Sequence, residues 1–175
     1  FWSFKAPVKP VIPANSAWAS SSIDALAEQQ YAAHQLTPAS DADPHTLLRR
    51  LHFDLTGLPP SLESMSQFSE AWKSNPEQAI ASEVDGLLDT PQYGERWARH
   101  WLDVARYAES AGKEVDLSFP NAWRYRNYVI DAFNSDKPYD EFIREQIAGD
   151  LLPAKTDKEW AEHLIATGFL ALGPK

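Results

Sequence analysis

The chain has 175 residues, of which 43% are hydrophobic and 23% are charged, and this composition is typical of a globular domain rather than a disordered segment. Its formal net charge of −9 argues against nucleic acid and anionic membrane surfaces as partners, because phosphate binding needs a basic surface. The sequence has no cysteine, which excludes disulfides, cysteine-bound zinc and covalent haem attachment within this segment. No apolar run approaches the roughly 20 residues that span a bilayer.

The first 20 residues form a distinct segment. Pro7, Pro10 and Pro13 recur at a spacing of three, which favours polyproline II and excludes a regular helix. This segment also holds four large aromatic residues, so we predict an extended aromatic and proline-rich arm over 1–20. We expect residues 21–175 to form a single helical domain, taken from a longer protein because neither end resembles a natural terminus.

Helical periodicity and capping residues recur along the rest of the chain. Prolines and N-cap residues such as Asp43, Ser61 and Asn75 mark the helix starts. We predict an all-α, multi-helix array of about eight helices with short links and no strand. The predicted helices cover about 22–35, 44–55, 62–73, 76–88, 91–110, 121–134, 139–151 and 158–172.

The fifth predicted helix is the most regular. One side is apolar and should face the core, with Tyr93, Trp97, Ala98, Trp101, Leu102, Val104, Ala105 and Ala108. The other side spaces Glu95, Arg99, Asp103 and Arg106 as an ion-pair ladder, in which Asp103 would lock the helix to its neighbours. The competing interpretation is that Arg106 and Arg124 present a fork to a carboxylate, a sulfate or a haem propionate, since arginine binds such groups bidentately.

Acidic and aromatic residues surround the non-periodic stretch at 112–120, and loops between rigid helices often bind ligands. Glu109, Glu114 and Asp116 could supply the two carboxylates of a glycoside hydrolase, oxygen ligands for calcium, or only a solvated acidic loop. Trp123 and Tyr125, with Tyr128, could form a stacking platform for a sugar, although aromatic residues at helical spacing are more often core.

Five collinear motifs resemble the planctomycete cytochrome-c-associated domain family, a family without an established activity. They are DLTGLPP (54–60), YGERWARHWLD (93–103), NAWRYR (121–126), DKPYD (136–140) and GDLLP (149–153). The resemblance implies an exported, extracytoplasmic parent protein that continues past residue 175 and carries a c-type haem elsewhere. It therefore implies no cofactor within this segment.

Within that resemblance His100 has two interpretations. It could be a distal axial ligand to a haem held by the missing segment, because neutral imidazole binds iron well. The other interpretation is that it pairs with a helix neighbour or caps a loop.

The leading hypothesis is a non-catalytic extracytoplasmic module that scaffolds or abuts a haem-bearing segment, with other domains of the same parent as its partners. The alternative is a glycan-directed module, binding or hydrolytic, that uses Trp123, Tyr125, Arg124 and the acids Asp103, Glu109 and Asp116. In the leading hypothesis the motif residues mainly build the fold and one polar groove, formed by the central helix, the 112–120 loop and the sixth helix. A pure interaction domain is a third possibility.

Overall fold

A computed structural model describes residues 1–13, 21–111 and 117–172. It confirms the all-α expectation and the eight helices. Over the described ranges the chain forms no strand, only an isolated antiparallel bridge between Ser110 and Ser118. The helices are α1 (Ser22–Ala33), α2 (Pro44–Leu55), α3 (Leu62–Ser74), α4 (Pro76–Leu88), α5 (Pro91–Val104), α6 (Ala122–Asn134), α7 (Tyr139–Ala148) and α8 (Asp157–Ala166).

The chain divides into two compact units, 1–42 and 43–175. In the first unit a single 3₁₀ turn at Trp2–Phe4 precedes residues 5–13, which have no regular secondary structure. The predicted arm also includes residues 14–20, which lie outside the described part of the chain. Helix α1 begins with a capping box: the Ser21 hydroxyl accepts from the Asp24 N–H, and the Asp24 carboxylate accepts from the Ser21 N–H.

In the second unit, α2, α3 and α4 pack around a small core of Leu48, Phe68 and Ala79. The predicted caps are present, because Asp43, Ser61 and Asn75 each accept a hydrogen bond from a first-turn N–H. Between these helices the imidazole of His52 lies 2.8 Å from the carboxylate of Glu83, which also accepts from the Ser64 hydroxyl at 3.0 Å.

Helices α5 to α8 enclose the larger core, and α5 packs chiefly on α6. The aromatic rings of Trp101, Tyr128 and Phe142 meet at its centre, with ring centroids 5.0 Å and 5.9 Å apart for Trp101–Phe142 and Tyr128–Phe142. Its buried residues are Ala98, Leu102, Tyr125, Tyr128, Val129, Ala132, Phe142 and Ala166.

The prediction for the end of the fifth helix was wrong, because α5 ends at Val104 rather than near residue 110. The Tyr107 N–H donates to the Leu102 carbonyl at 2.9 Å and the Arg106 N–H donates to the Asp103 carbonyl at 3.2 Å. These two bonds form a Schellman motif, in which Arg106 takes the left-handed conformation with φ of 57°. The turn redirects the chain, so the apolar stripe does not continue and Val104 is 80% exposed.

The predicted charged ladder does not form either. Glu95, Arg99, Asp103 and Arg106 are all described and exposed, and no ion pair joins them. Solvated side chains at such positions gain little from pairing, and ending the helix removes the helical spacing on which the Asp103–Arg106 pair depended.

The last two helices are shorter than predicted, and each continues as a 3₁₀ turn, at Gly149–Leu151 and Thr167–Ala171. At the first turn the backbone lies directly on α8, since a Cβ added to Gly149 would come within 2.2 Å of the His163 carbonyl oxygen. Thr156, not Asp157, caps α8, with its hydroxyl accepting from the Glu159 N–H at 3.1 Å.

Candidate functional site

The first cavity lies beyond the end of α5 and has a volume of about 740 Å³. One wall is a short antiparallel pairing, in which the Ala111 N–H donates to the Leu117 carbonyl and the Phe119 N–H donates to the Glu109 carbonyl. The remaining walls come from the start of α6 and from the segment 164–172, and most are apolar. The apolar groups include Leu117, Phe119, Leu164, Ile165, Ala171 and Leu172.

Two arginines, Arg106 and Arg124, line this mostly apolar cavity. Neither forms an ion pair with any residue in the described part of the chain. The Arg124 guanidinium lies 5.5 Å from the ring centroid of Trp123. The competing interpretation of the sequence has these two arginines act together, and both line this cavity.

Glu109 belongs to a separate cluster at the edge of this region. Its carboxylate accepts a hydrogen bond from the Tyr107 hydroxyl at 2.9 Å and pairs with the Arg126 guanidinium. Burial, and then the hydrogen bond to Glu109, raise the pKa of Tyr107 to about 12. Glu109 is therefore held by structural contacts, while Glu114 and Asp116, its predicted partners, lie outside the described residues.

The hydroxyl of Tyr125 lies in the core rather than on a stacking surface. It donates to the Gln146 side-chain oxygen at 2.6 Å and accepts from the Trp101 indole N–H at 2.9 Å. Gln146 is 1% exposed, and its amide nitrogen donates to the Phe142 carbonyl at 3.0 Å. Sequence reasoning missed Gln146, although a polar residue four positions after Phe142 on an apolar helix face indicates a buried hydrogen-bonding role.

A second buried polar cluster centres on Glu145, which sequence reasoning also missed. Its carboxylate accepts from the Tyr128 hydroxyl at 2.7 Å, pairs with the Lys137 ammonium, and lies 3.7 Å from the His163 imidazole. Burial, and then the bond to Glu145, raise the pKa of Tyr128 above that of an ordinary tyrosine. The Lys137 ammonium compensates the buried Glu145 carboxylate, and the contacts of that carboxylate connect Tyr128 of α6 and His163 of α8 to α7. The cluster therefore has a structural role.

The two remaining candidates on α5 line neither cavity. His100 is exposed, and its ring packs edge-on against Trp97 at a centroid distance of 5.2 Å. Asp103 is exposed at the last turn of the helix. The first cavity therefore does not include the solvent face of α5, since α5 ends before it.

Trp123 is exposed, whereas Tyr125 and Tyr128 are both core residues. It is 44% exposed and lines a second cavity of about 520 Å³ between α6 and α8. Tyr128 also lines the second cavity but is buried, and Tyr125 lines the first, so the three aromatic residues do not form one exposed platform. Arg124 lines both cavities.

A search of the described residues finds no group of His, Cys, Asp or Glu side chains that could hold a metal ion. None of the helices in those ranges is long and apolar enough to cross a membrane.

These features define an all-α domain whose buried polar contacts hold helices together and whose candidate binding surfaces are two open cavities. The chain belongs to the PSCyt2 family, described as a protein of unknown function (DUF1549), whose model matches residues 22–175. No curated protein and no solved structure matches the chain.

Proposed function

We propose that this chain is a non-catalytic, extracytoplasmic helical module of a larger c-type-cytochrome-associated protein. In this proposal the first cavity receives an apolar group with acidic substituents from a haem-bearing segment outside the chain. The observation that carries the proposal is the presence of Arg106 and Arg124 in a cavity whose other walls are mostly apolar. Arginines that form no ion pair within the described ranges are suited to bind carboxylates.

The residues present fit a haem edge. Haem combines an apolar macrocycle with two propionate carboxylates, and the cavity combines apolar walls with two guanidinium groups. Its covalent attachment would lie elsewhere, because the sequence has no cysteine. When bound, haem supplies one-electron transfer. Arg106 and Arg124 would hold its acidic edge, and Leu164 and Leu172 would exclude water.

The conformation of Arg106 also supports a binding role. A left-handed conformation is unfavourable for residues other than glycine, and such outliers often occur at functional sites. Glycine would end α5 without this cost, so stability alone does not explain an arginine here.

The use of the motif residues favours scaffolding over catalysis. Trp101 and Tyr125 belong to two of the motifs, and their polar atoms bond to each other and to Gln146 within the core. Because these polar atoms already bond to one another in the core, they hold the helices in place and are not available to a substrate.

The first test is the oxidised and reduced visible absorption spectrum of the longer protein, produced in a host that matures c-type cytochromes. A c-type band is expected, and Arg106→Gly should lower the haem reduction potential because a positive charge is lost beside the propionates. Asp136→Gly is the matched control, since Asp136 takes the same left-handed position at the end of α6. A correctly folded protein without a haem band would overturn the proposal.

His100→Ala in the same protein tests axial ligation. His100 is exposed on α5 and so could face a neighbouring segment. A changed iron-ligation spectrum would assign it as a ligand, and an unchanged spectrum would leave it with only its contact to Trp97.

A further inference from the structure

The second cavity is chemically different from the first. It lies between one face of α6 and the start of α8, and its volume of about 520 Å³ is in the range of roughly 300–1,000 Å³ that is usual for small-molecule sites. Trp123, Asn127 and Asp131 line it at successive intervals of four residues, so an indole, an amide and a carboxylate follow one another along α6. Lys158 and Glu162 contribute from α8.

Trp123 presents an exposed aromatic surface in this cavity. Its side chain is large and apolar, yet it is 44% exposed, whereas Tyr125 and Tyr128 two and five positions later are buried. In the described part of the chain, the guanidinium of Arg124 is the one group that stacks on its ring, at 5.5 Å from the centroid. An exposed indole offers a flat apolar surface for a ligand that is itself flat and partly apolar.

The polar groups around the ring provide both donors and acceptors, and their charges nearly cancel. Three cations, Arg124, Lys137 and Lys158, line the cavity with Asp131 and Glu162. The Lys137 ammonium is already paired with Glu145, and Lys158 lies 3.6 Å from Glu162. Such a balanced cavity does not favour a strongly charged ligand, and the net charge of −9 further disfavours polyanions. It favours a neutral ligand with many hydroxyl groups, since each hydroxyl both donates and accepts hydrogen bonds.

We propose that the second cavity binds a neutral saccharide, with a sugar ring against the Trp123 indole and its hydroxyls bonded to polar groups such as Asn127 and Asp131. The stacking surface provides affinity, and the amide and carboxylate select a polyhydroxylated ligand over a purely apolar one. This site does not include Arg106 and does not depend on the haem proposal.

The test is affinity electrophoresis of the chain in native gels that contain a neutral polysaccharide: mannan, xylan, β-1,3-glucan or hydroxyethylcellulose in separate gels. Retardation by at least one of them is expected. Trp123→Ala should weaken that retardation at least tenfold, and Asn127→Ala should weaken it less, while circular dichroism and thermal unfolding show that both variants fold.

The matched control is Trp160→Ala. Trp160 is a tryptophan of α8 that is 52% exposed and does not line the cavity, so its loss should leave retardation unchanged. Arg106→Gly should also leave it unchanged, because Arg106 lines only the first cavity.

Three results would each overturn the proposal. They are no retardation by any neutral polysaccharide, retardation only by a sulfated polysaccharide such as carrageenan, and equal losses in Trp123→Ala and Trp160→Ala. Trp123→Phe gives a further check, since an aromatic ring at that position should preserve part of the binding that alanine removes.

Discussion

The side chain of Asn134, at the end of α6, caps the first turn of α5 through its contact with Gly94. Its Oδ1 accepts from the Gly94 N–H at 2.8 Å, and its Nδ2 donates to the Pro91 carbonyl at 3.2 Å. Thr90 stands at the N-cap of α5, but its side chain makes no capping bond. The start of α5 is therefore capped from a neighbouring helix, which joins α5 and α6 at this crossing.

Gly94→Ala should destabilise the domain although alanine is the better helix former. A Cβ at this position would lie 2.5 Å from the Asn134 amide, so the cap must move, at a cost of about 1–3 kcal/mol. Gly86→Ala is the matched control, because a Cβ there meets nothing within 4 Å and should stabilise α4 by up to about 1 kcal/mol. Urea unfolding measures the free energy of unfolding of both variants. Changes of the same sign in Gly94→Ala and Gly86→Ala would contradict the packing argument.

Arg106→Gly should raise the free energy of unfolding by about 1 kcal/mol, because glycine takes the left-handed conformation without the Cβ penalty. Asp136→Gly should have a similar effect, since the Lys137 N–H closes the same type of turn on the Ala132 carbonyl at 3.0 Å. The measurement is thermal or urea unfolding of each variant. A loss of stability in Arg106→Gly alone would show that the arginine side chain has a structural role.

Gln146→Leu should cost about 2–4 kcal/mol, because it leaves the Tyr125 hydroxyl without its acceptor in a buried site. Adding Tyr125→Phe to that variant should restore part of the lost stability, since the unpaired hydroxyl is then absent. A double-mutant cycle measured by urea unfolding gives the coupling free energy between Gln146 and Tyr125, which should be clearly non-zero. Gln67→Leu, at an exposed position of α3, is the control and should change stability little.

The stability of the domain should fall at alkaline pH. Burial raises the pKa of Tyr125 from 10.0 to about 12. Between those values the unfolded chain has released the proton that the folded chain retains. The stabilisation is therefore complete below pH about 10 and is lost as the pH rises towards 12, with a slope of about 1.4 kcal/mol per pH unit for one tyrosine.

Urea unfolding at a series of pH values from 8 to 12 measures this slope, and Tyr125→Phe should reduce it. Below pH 9 the wild-type and variant curves should run parallel, because neither state of Tyr125 titrates there. Equal slopes for the two proteins above pH 10 would contradict the assignment to Tyr125.

The local sequence determined the helices and most of their starts. Asp43, Ser61 and Asn75 cap their helices as predicted because capping depends on residues within one turn of the chain. The resemblance of the five motifs to a family of unknown function was also readable from the sequence, and the family match confirms it.

Only the tertiary structure decided where α5 ends and which residues line the cavities. Periodicity predicted a helix through residue 110, but a left-handed Arg106 ends it at Val104, and no local signal marks a left-handed arginine. Trp123 and Tyr125 are two positions apart, but Tyr125 is buried where it bonds to Trp101 of α5 and Gln146 of α7, whereas Trp123 stays exposed. Local sequence fixes short-range hydrogen bonds, whereas burial and cavity shape depend on contacts between helices far apart in the chain.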